Sequence, residues 1–159
     1  MKPTLIPKII LLTVLALANP AFVLADNGLI SIKSFFDVKT TTDRLENILK
    51  EKGMTVFARI DHGAGAKKVE QVLRPTELLV FGNPKMGSKL MQCQQTMGID
   101  LPQKALVWQD ENKQVWLSYN DPDYLLKRHK AKQCDAINKK ISKALNSFAL
   151  LATGQIKKP

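Results

Sequence analysis

Residues 77–81 open on Glu77 and continue as the unbroken apolar run Leu78-Leu79-Val80-Phe81, which Gly82-Asn83-Pro84 then stops. A run of this length reads as a strand covered on both faces. Proline cannot donate to a strand ladder and glycine permits a tight turn, so the chain must leave its sheet here. The rest of the sequence supplies neighbours and cover. Residues 29–36 alternate as a first strand. Thr42-Asp43 offers a helix N-cap, Leu45, Ile48 and Leu49 form an apolar stripe, and Gly53 ends that helix. Residues 54–60 predict a second strand, with Val56, Ala58 and Ile60 on one face and Thr55, Phe57 and Arg59 on the other.

A flexible joint at Gly63-Ala64-Gly65-Ala66 leads into a short helix over residues 66–73, which Pro75 closes. Residues 87–96 predict a helix. Residues 105–109 and 115–119 predict two strands joined through Asp110-Glu111-Asn112-Lys113, a hairpin connection. Asp121-Pro122 starts another helix as N-cap and first-turn proline, and a last helix covers residues 133–152. Helices interleave with strands, yet one hairpin is antiparallel. The expected fold is therefore α+β, a two-layer sandwich with helices packed on a mixed, partly antiparallel β-sheet.

The N-terminus carries a processing pattern. Lys2 and Lys8 precede an apolar run over residues 9–18, Asn19-Pro20 breaks it, and Val23-Leu24-Ala25 places small residues where a signal peptidase reads. This predicts a signal peptide over residues 1–25 cut after Ala25, a single domain over residues 26–159, and a periplasmic or secreted location. An uncleaved anchor needs about 20 uninterrupted apolar residues, and Asn19-Pro20 interrupts the run. No integral membrane segment is expected after cleavage.

Two of the 24 basic residues and none of the 14 acidic ones lie ahead of the expected cut, which lowers the net charge from +10 to +8. The excess is concentrated late, where Lys127, Arg128, Lys130, Lys132, Lys139, Lys140 and Lys143 face only Asp135. Such a surface suits anionic envelope partners, or is a solvated helix face. Nucleic acid is disfavoured, because no aromatic residues interleave with the lysines and export removes the opportunity.

Ile60-Asp61-His62, the block Leu73-Arg74-Pro75-Thr76-Glu77-Leu78-Leu79-Val80-Phe81-Gly82-Asn83-Pro84 and Gly98-Ile99-Asp100-Leu101-Pro102 form a long colinear set. Ala105-Leu106-Val107-Trp108 and Val115-Trp116-Leu117-Ser118-Tyr119-Asn120-Asp121-Pro122 extend it. Together they resemble domain-of-unknown-function family 302 over nearly all of the expected mature chain. The resemblance implies a compact two-layer α+β fold and a homodimer. It implies no established reaction, and the two cysteines stand outside the family pattern.

His62 is the first candidate for chemistry. It sits beside Asp61 at the end of a predicted strand, and histidine suits proton transfer near neutral pH. No recognisable triad accompanies it, so the plainer expectation is a ring that satisfies loop backbone groups. Asn83, Asp100 and Tyr119 lie at comparable element ends and would join His62 in a ligand-binding rim. His129, in a basic helix, reads as solvated.

Met86, Met91, Cys93 and Met97 are soft donors of the kind that hold copper(I). At 100° per residue, however, Met86, Leu90, Cys93 and Met97 form one amphipathic stripe and Met91 points elsewhere, which is the pattern of core packing. No metal or cofactor is assigned. Cys134 opens the stripe Cys134, Ile137, Ile141, Leu145, Phe148 and Ala152, so it too faces inward. In an oxidising compartment Cys93 and Cys134 either form a disulfide, stabilising by roughly 3–4 kcal/mol through loop closure, or remain two buried thiols.

Three functional readings follow. The first is a non-enzymatic envelope module binding a small ligand or protein near His62, Asn83 and Asp100. The second is an enzyme with His62 as general acid or base. The third is a basic protein on anionic envelope surfaces. The first best matches a sequence with no reaction signature.

Overall fold

The structure is a computed structural model that describes residues 22–25 and 27–157. The apolar run of the expected signal peptide lies outside these residues. In chain order the elements are β1 (Phe22–Ala25), β2 (Leu29–Ser34), α1 (Val38–Glu51), β3 (Thr55–Asp61), α2 (His62–Lys67), β4 (Thr76–Gly82) and α3 (Pro84–Cys93). There follow a 3-10 turn (Gln95–Ile99), β5 (Gln103–Gln109), β6 (Val115–Asn120), α4 (Pro122–His129), a second 3-10 turn (Lys132–Cys134) and α5 (Asp135–Thr153).

The strands form one sheet in the order β1-β2-β6-β5-β4-β3. Strands β3 to β6 are a meander, and β2 docks on β6 after α1 has crossed the sheet. Every described pair is antiparallel, where the sequence left room for a mixed sheet. Helices α1 and α5 cover one face, giving the expected two-layer α+β sandwich. Ile32, Leu79, Phe81, Val107 and Leu117 point from that face into a core closed by Leu45, Leu49, Leu145, Phe148 and Ala152. β4 is thus buried on one face only. Leu79 and Phe81 are buried, while Leu78 and Val80 on the other face are half-buried.

Local chemistry accounts for the shifted boundaries. α1 begins well before Thr42, because the Asp37 side chain accepts from the Thr40 backbone N–H at 2.6 Å and caps the helix. Thr41 and Thr42 then lie inside the helix, fully buried, with each hydroxyl donating to the carbonyl four residues earlier. α3 likewise starts early, with Asn83 as N-cap and Pro84 in the first turn. The short helix expected over residues 66–73 is instead α2, capped by Asp61, whose carboxylate accepts from the Ala64 N–H at 2.8 Å. Asp121 caps α4, and the hairpin between β5 and β6 closes with Asp110 N–H donating to the Gln114 carbonyl.

A bulge in β3 reverses the expected facing of its second half. Val56 pairs with Phe81, but the next partners are Ala58 and Val80, so Phe57 is the extra residue. Arg59 therefore turns toward α1. It donates through Nε to Glu77 at 2.7 Å and pairs with Asp43 and Glu46. Burial opposes the Arg59 charge, but its bonds to Asp43 and Glu77 outweigh that and raise its pKa. Lys39 first, then Arg59, hold the Asp43 carboxyl below its ordinary range. Lys50 first, and then Arg59, do the same for Glu46 against burial.

A depressed carboxylate pKa contributes stability above the ordinary carboxylate range, and that stability is lost as pH falls through it. Arg59→Met should cost roughly 1–3 kcal/mol at pH 7, because Glu77 is only 9% exposed and loses its partner. Urea titrations from about pH 5 to about pH 3 should show a shallower acid loss in this variant than in the parent.

Candidate functional site

The end of β4 is where the sheet and the helices part. Gly82 leaves the strand, Asn83 caps α3 by accepting from the Lys85 N–H at 3.0 Å, and α3 swings over the sheet edge. Between α3, the Gln95–Ile99 turn, the start of β5 and α5 lies a cavity of about 350 Å³. Its wall is overwhelmingly apolar. Met54, Met86 and Met91 bring flexible thioethers, and Leu90, Leu145 and Phe148 form the buried floor. Asn83, Ser88 and Gln103 are its uncharged polar residues. Among the described residues, Lys140 is the one charged side chain in the lining.

Behind this wall is a second small core of Leu90, Met97, Leu125, Leu126, Ala131 and Cys134. A disulfide joins Cys93 at the end of α3 to Cys134 just before α5, with Cα atoms 6.0 Å apart. Gln133 adds a hydrogen bond from Nε2 to the Cys93 carbonyl. The bridge fixes the α3 wall against α5, and it removes Cys93 as a thiolate. Met97 is buried in this core, while Met91, expected to point elsewhere, joins Met86 in the cavity lining.

The proposed rim is not one site. β3 and β4 are antiparallel, with Asp61 opposite Glu77 and Thr55 opposite Gly82. His62, next to Asp61, thus sits a strand length, roughly 20 Å, from Asn83. It is exposed at the start of α2. Asn83 does line the cavity. Asp100 lies at the same end of the sheet but turns away, pairing with Arg128 at 3.2 Å and with His129 Nε2 at 2.6 Å. Tyr119 is buried in the main core, where burial, helped by the charge of Asp121, pushes its hydroxyl up to about 12.

His129 departs most from expectation. It is buried, with Nδ1 3.0 Å from the Thr96 hydroxyl and Nε2 on Asp100. A threonine, a histidine and a carboxylate in series have the order of a catalytic relay, but both ring nitrogens are engaged in tying α4 to the 3-10 turn. The helical position of His129 hid this, because its partners lie about 30 residues earlier. The apolar cavity was also missed. Its signal was Met91, an apolar residue outside the inward stripe of Met86, Leu90, Cys93 and Met97, which joins Met86 in the lining.

A model for domain of unknown function DUF302 matches residues 30–148. The chain belongs to the DUF302 family. The fold agrees: a crystal structure of an uncharacterized conserved DUF302 protein from Bacillus stearothermophilus aligns with a TM-score of 0.70. It is 20% identical, covering 77% of this chain and 95% of that one. A protein of Brucella suis biovar 1 (strain 1330) named as fluoride-specific ion channel FluC 1 is 47% identical over 110 residues, which are 69% of this chain and 43% of that protein. A FluC 1 protein of Brucella abortus biovar 1 (strain 9-941) is 47% identical over the same length, 41% of its own. The aligned part of this DUF302 chain thus spans less than half the length of these curated relatives. Among the described residues no helix is long and apolar enough to cross a membrane.

Closing the 41-residue separation between the cysteines predicts a stabilisation of roughly 3–4 kcal/mol. The double variant Cys93→Ala/Cys134→Ala should lose about that much in urea unfolding. Amides of α3 should lose more hydrogen-exchange protection than those of β5, since the bridge anchors the wall and not the sheet.

Proposed function

We propose that this DUF302 chain is a non-enzymatic ligand-binding module of the cell envelope whose ligand occupies the cavity beside Asn83. One observation carries the reading: an apolar cavity of about 350 Å³ stays open between two packed cores. That volume falls in the range of small-molecule sites, which combine apolar walls with a few polar groups. An envelope location is supported by the N-terminal processing pattern and by the Cys93–Cys134 bridge, since disulfides persist in oxidising compartments. His62 and Asp100 lie outside the cavity lining in this reading, and Tyr119 supports the core behind it. The basic late surface of α5 is a secondary feature that steers anions toward the mouth.

The test is native mass spectrometry of the protein purified from its own envelope, beside Met86→Trp, which places an indole in the cavity. A retained small mass in the parent that is absent from the folded variant is the expected result. An empty parent, with no dye or lipid extract binding it differently from Met86→Trp, rejects the reading.

The relatives favour a second reading at the level of partners. A channel must cross the bilayer with helices or a closed barrel. In proteins named as fluoride-specific channels, the segment like this chain occupies 43% or less of the whole. That arrangement supports a module working beside a membrane channel of the same kind. A strain lacking this chain should then grow measurably worse in millimolar fluoride and recover on complementation. Equal growth with and without the gene rejects the partnership and leaves the cavity reading standing.

A further inference from the structure

Five residues of one helix lay out the shape of the cavity. Lys140, Ile141, Ala144, Leu145 and Phe148 of α5 all line it, so it follows that helix from residue 140 to 148, eight steps or roughly 12 Å at 1.5 Å per residue. The burial along this path is graded. Lys140 is exposed, Ile141 and Ala144 are half-buried, and Leu145 and Phe148 are 5% and 8% exposed. Along α5 the lining therefore passes from an exposed cation to buried apolar side chains, while Phe57 and Met91 elsewhere in the lining are 54% and 37% exposed. Met86 and Met91 of α3 form the facing wall, and unbranched thioethers adapt to a flexible chain more readily than branched side chains do.

We infer that the cavity takes a single-chain aliphatic monocarboxylate, its carboxylate at Lys140 and its tail running along α5 to Phe148. The inference rests on the cavity reading above and narrows it to a ligand class. An extended chain with bonds near 1.52 Å and angles near 111° advances roughly 1.25 Å per carbon, so roughly 12 Å accommodates about ten carbons. Lys140 can lay its stem along the apolar lip and hold its ammonium in water, where the carboxylate would sit.

Calorimetric titration of the purified chain with hexanoate, octanoate, decanoate and dodecanoate, and with decanol as the neutral match, tests this. Affinity should rise about fourfold per added methylene up to about ten carbons and then level off. Lys140→Glu should weaken decanoate by about tenfold or more and leave decanol unchanged. Ala144→Phe and Met86→Trp, two independent ways of filling the cavity, should abolish both. Three results overturn the inference: no dependence on chain length, decanol binding as tightly as decanoate, or Lys140→Glu binding decanoate like the parent. If decanol binds in a Met86→Trp-sensitive way and decanoate does not, the ligand class falls and the cavity reading survives. If neither binds and the envelope-purified protein carries no retained mass, both fall.

Discussion

Helix α5 has a single apolar stripe and two cores to cover, and the rest of the molecule is arranged around that constraint. Its C-terminal half, through Leu145, Phe148, Ala149 and Ala152, closes the main core over β2, β4, β5 and β6. Its N-terminal half, through Ile137 and Ile141, packs against the smaller core formed by α3, α4 and the turns. Ile141 touches both. The helix is fixed at each end by contacts that are not apolar. Arg44 of α1 donates to the carbonyls of Leu151 and Ala152 at the C-terminus and stacks over Phe36, 4.3 Å from the ring centroid. Asn138 donates to Asp123 of α4 nearer the N-terminus. Removing apolar contact from α5 would open both cores at once.

The cavity is a consequence of this arrangement. The two cores share α5 and meet at Ile141, and the cavity lies along their common boundary. The gap falls where β4 ends at Gly82 and α3 departs from Asn83. Close packing would normally consume such a gap. Here the Cys93–Cys134 bridge ties the far end of α3 to the start of α5, and the Thr96–His129–Asp100 series ties the turn that follows it to α4. Met54, Met86 and Met91 line the space that remains.

Much of the fold was legible in local chemistry. The β5–β6 hairpin, the Asp121-Pro122 helix start and the stripe of α5 are written in consecutive residues, so no distant contact could override them. The misread elements have local and distant causes. Thr42-Asp43 reads as the start of α1, yet the helix begins at Val38 because Asp37 caps it and the buried threonines satisfy their hydroxyls within it. The alternation in residues 54–60 is genuine, but one bulged residue, Phe57, reverses the facing that follows and brings Arg59 onto Glu77. His129 was placed in solvent because its own helix is basic. Its environment is set by Thr96 and Asp100 on another segment.

By itself the sequence determined the family, the α+β class, the inward facing of Cys93 and Cys134, and the strand-ending turn at Gly82-Asn83-Pro84. These depend on periodicity and on backbone chemistry within a few residues. Only the tertiary structure decided that His62 and Asn83 stand at opposite ends of the sheet and that Asp100 serves His129 rather than a rim. It also decided that the cysteines meet and that a cavity runs beneath α3. The physical reason is strand direction and register: antiparallel pairing sends residues at successive element ends to opposite sides of the molecule. No local pattern encodes which ends will meet.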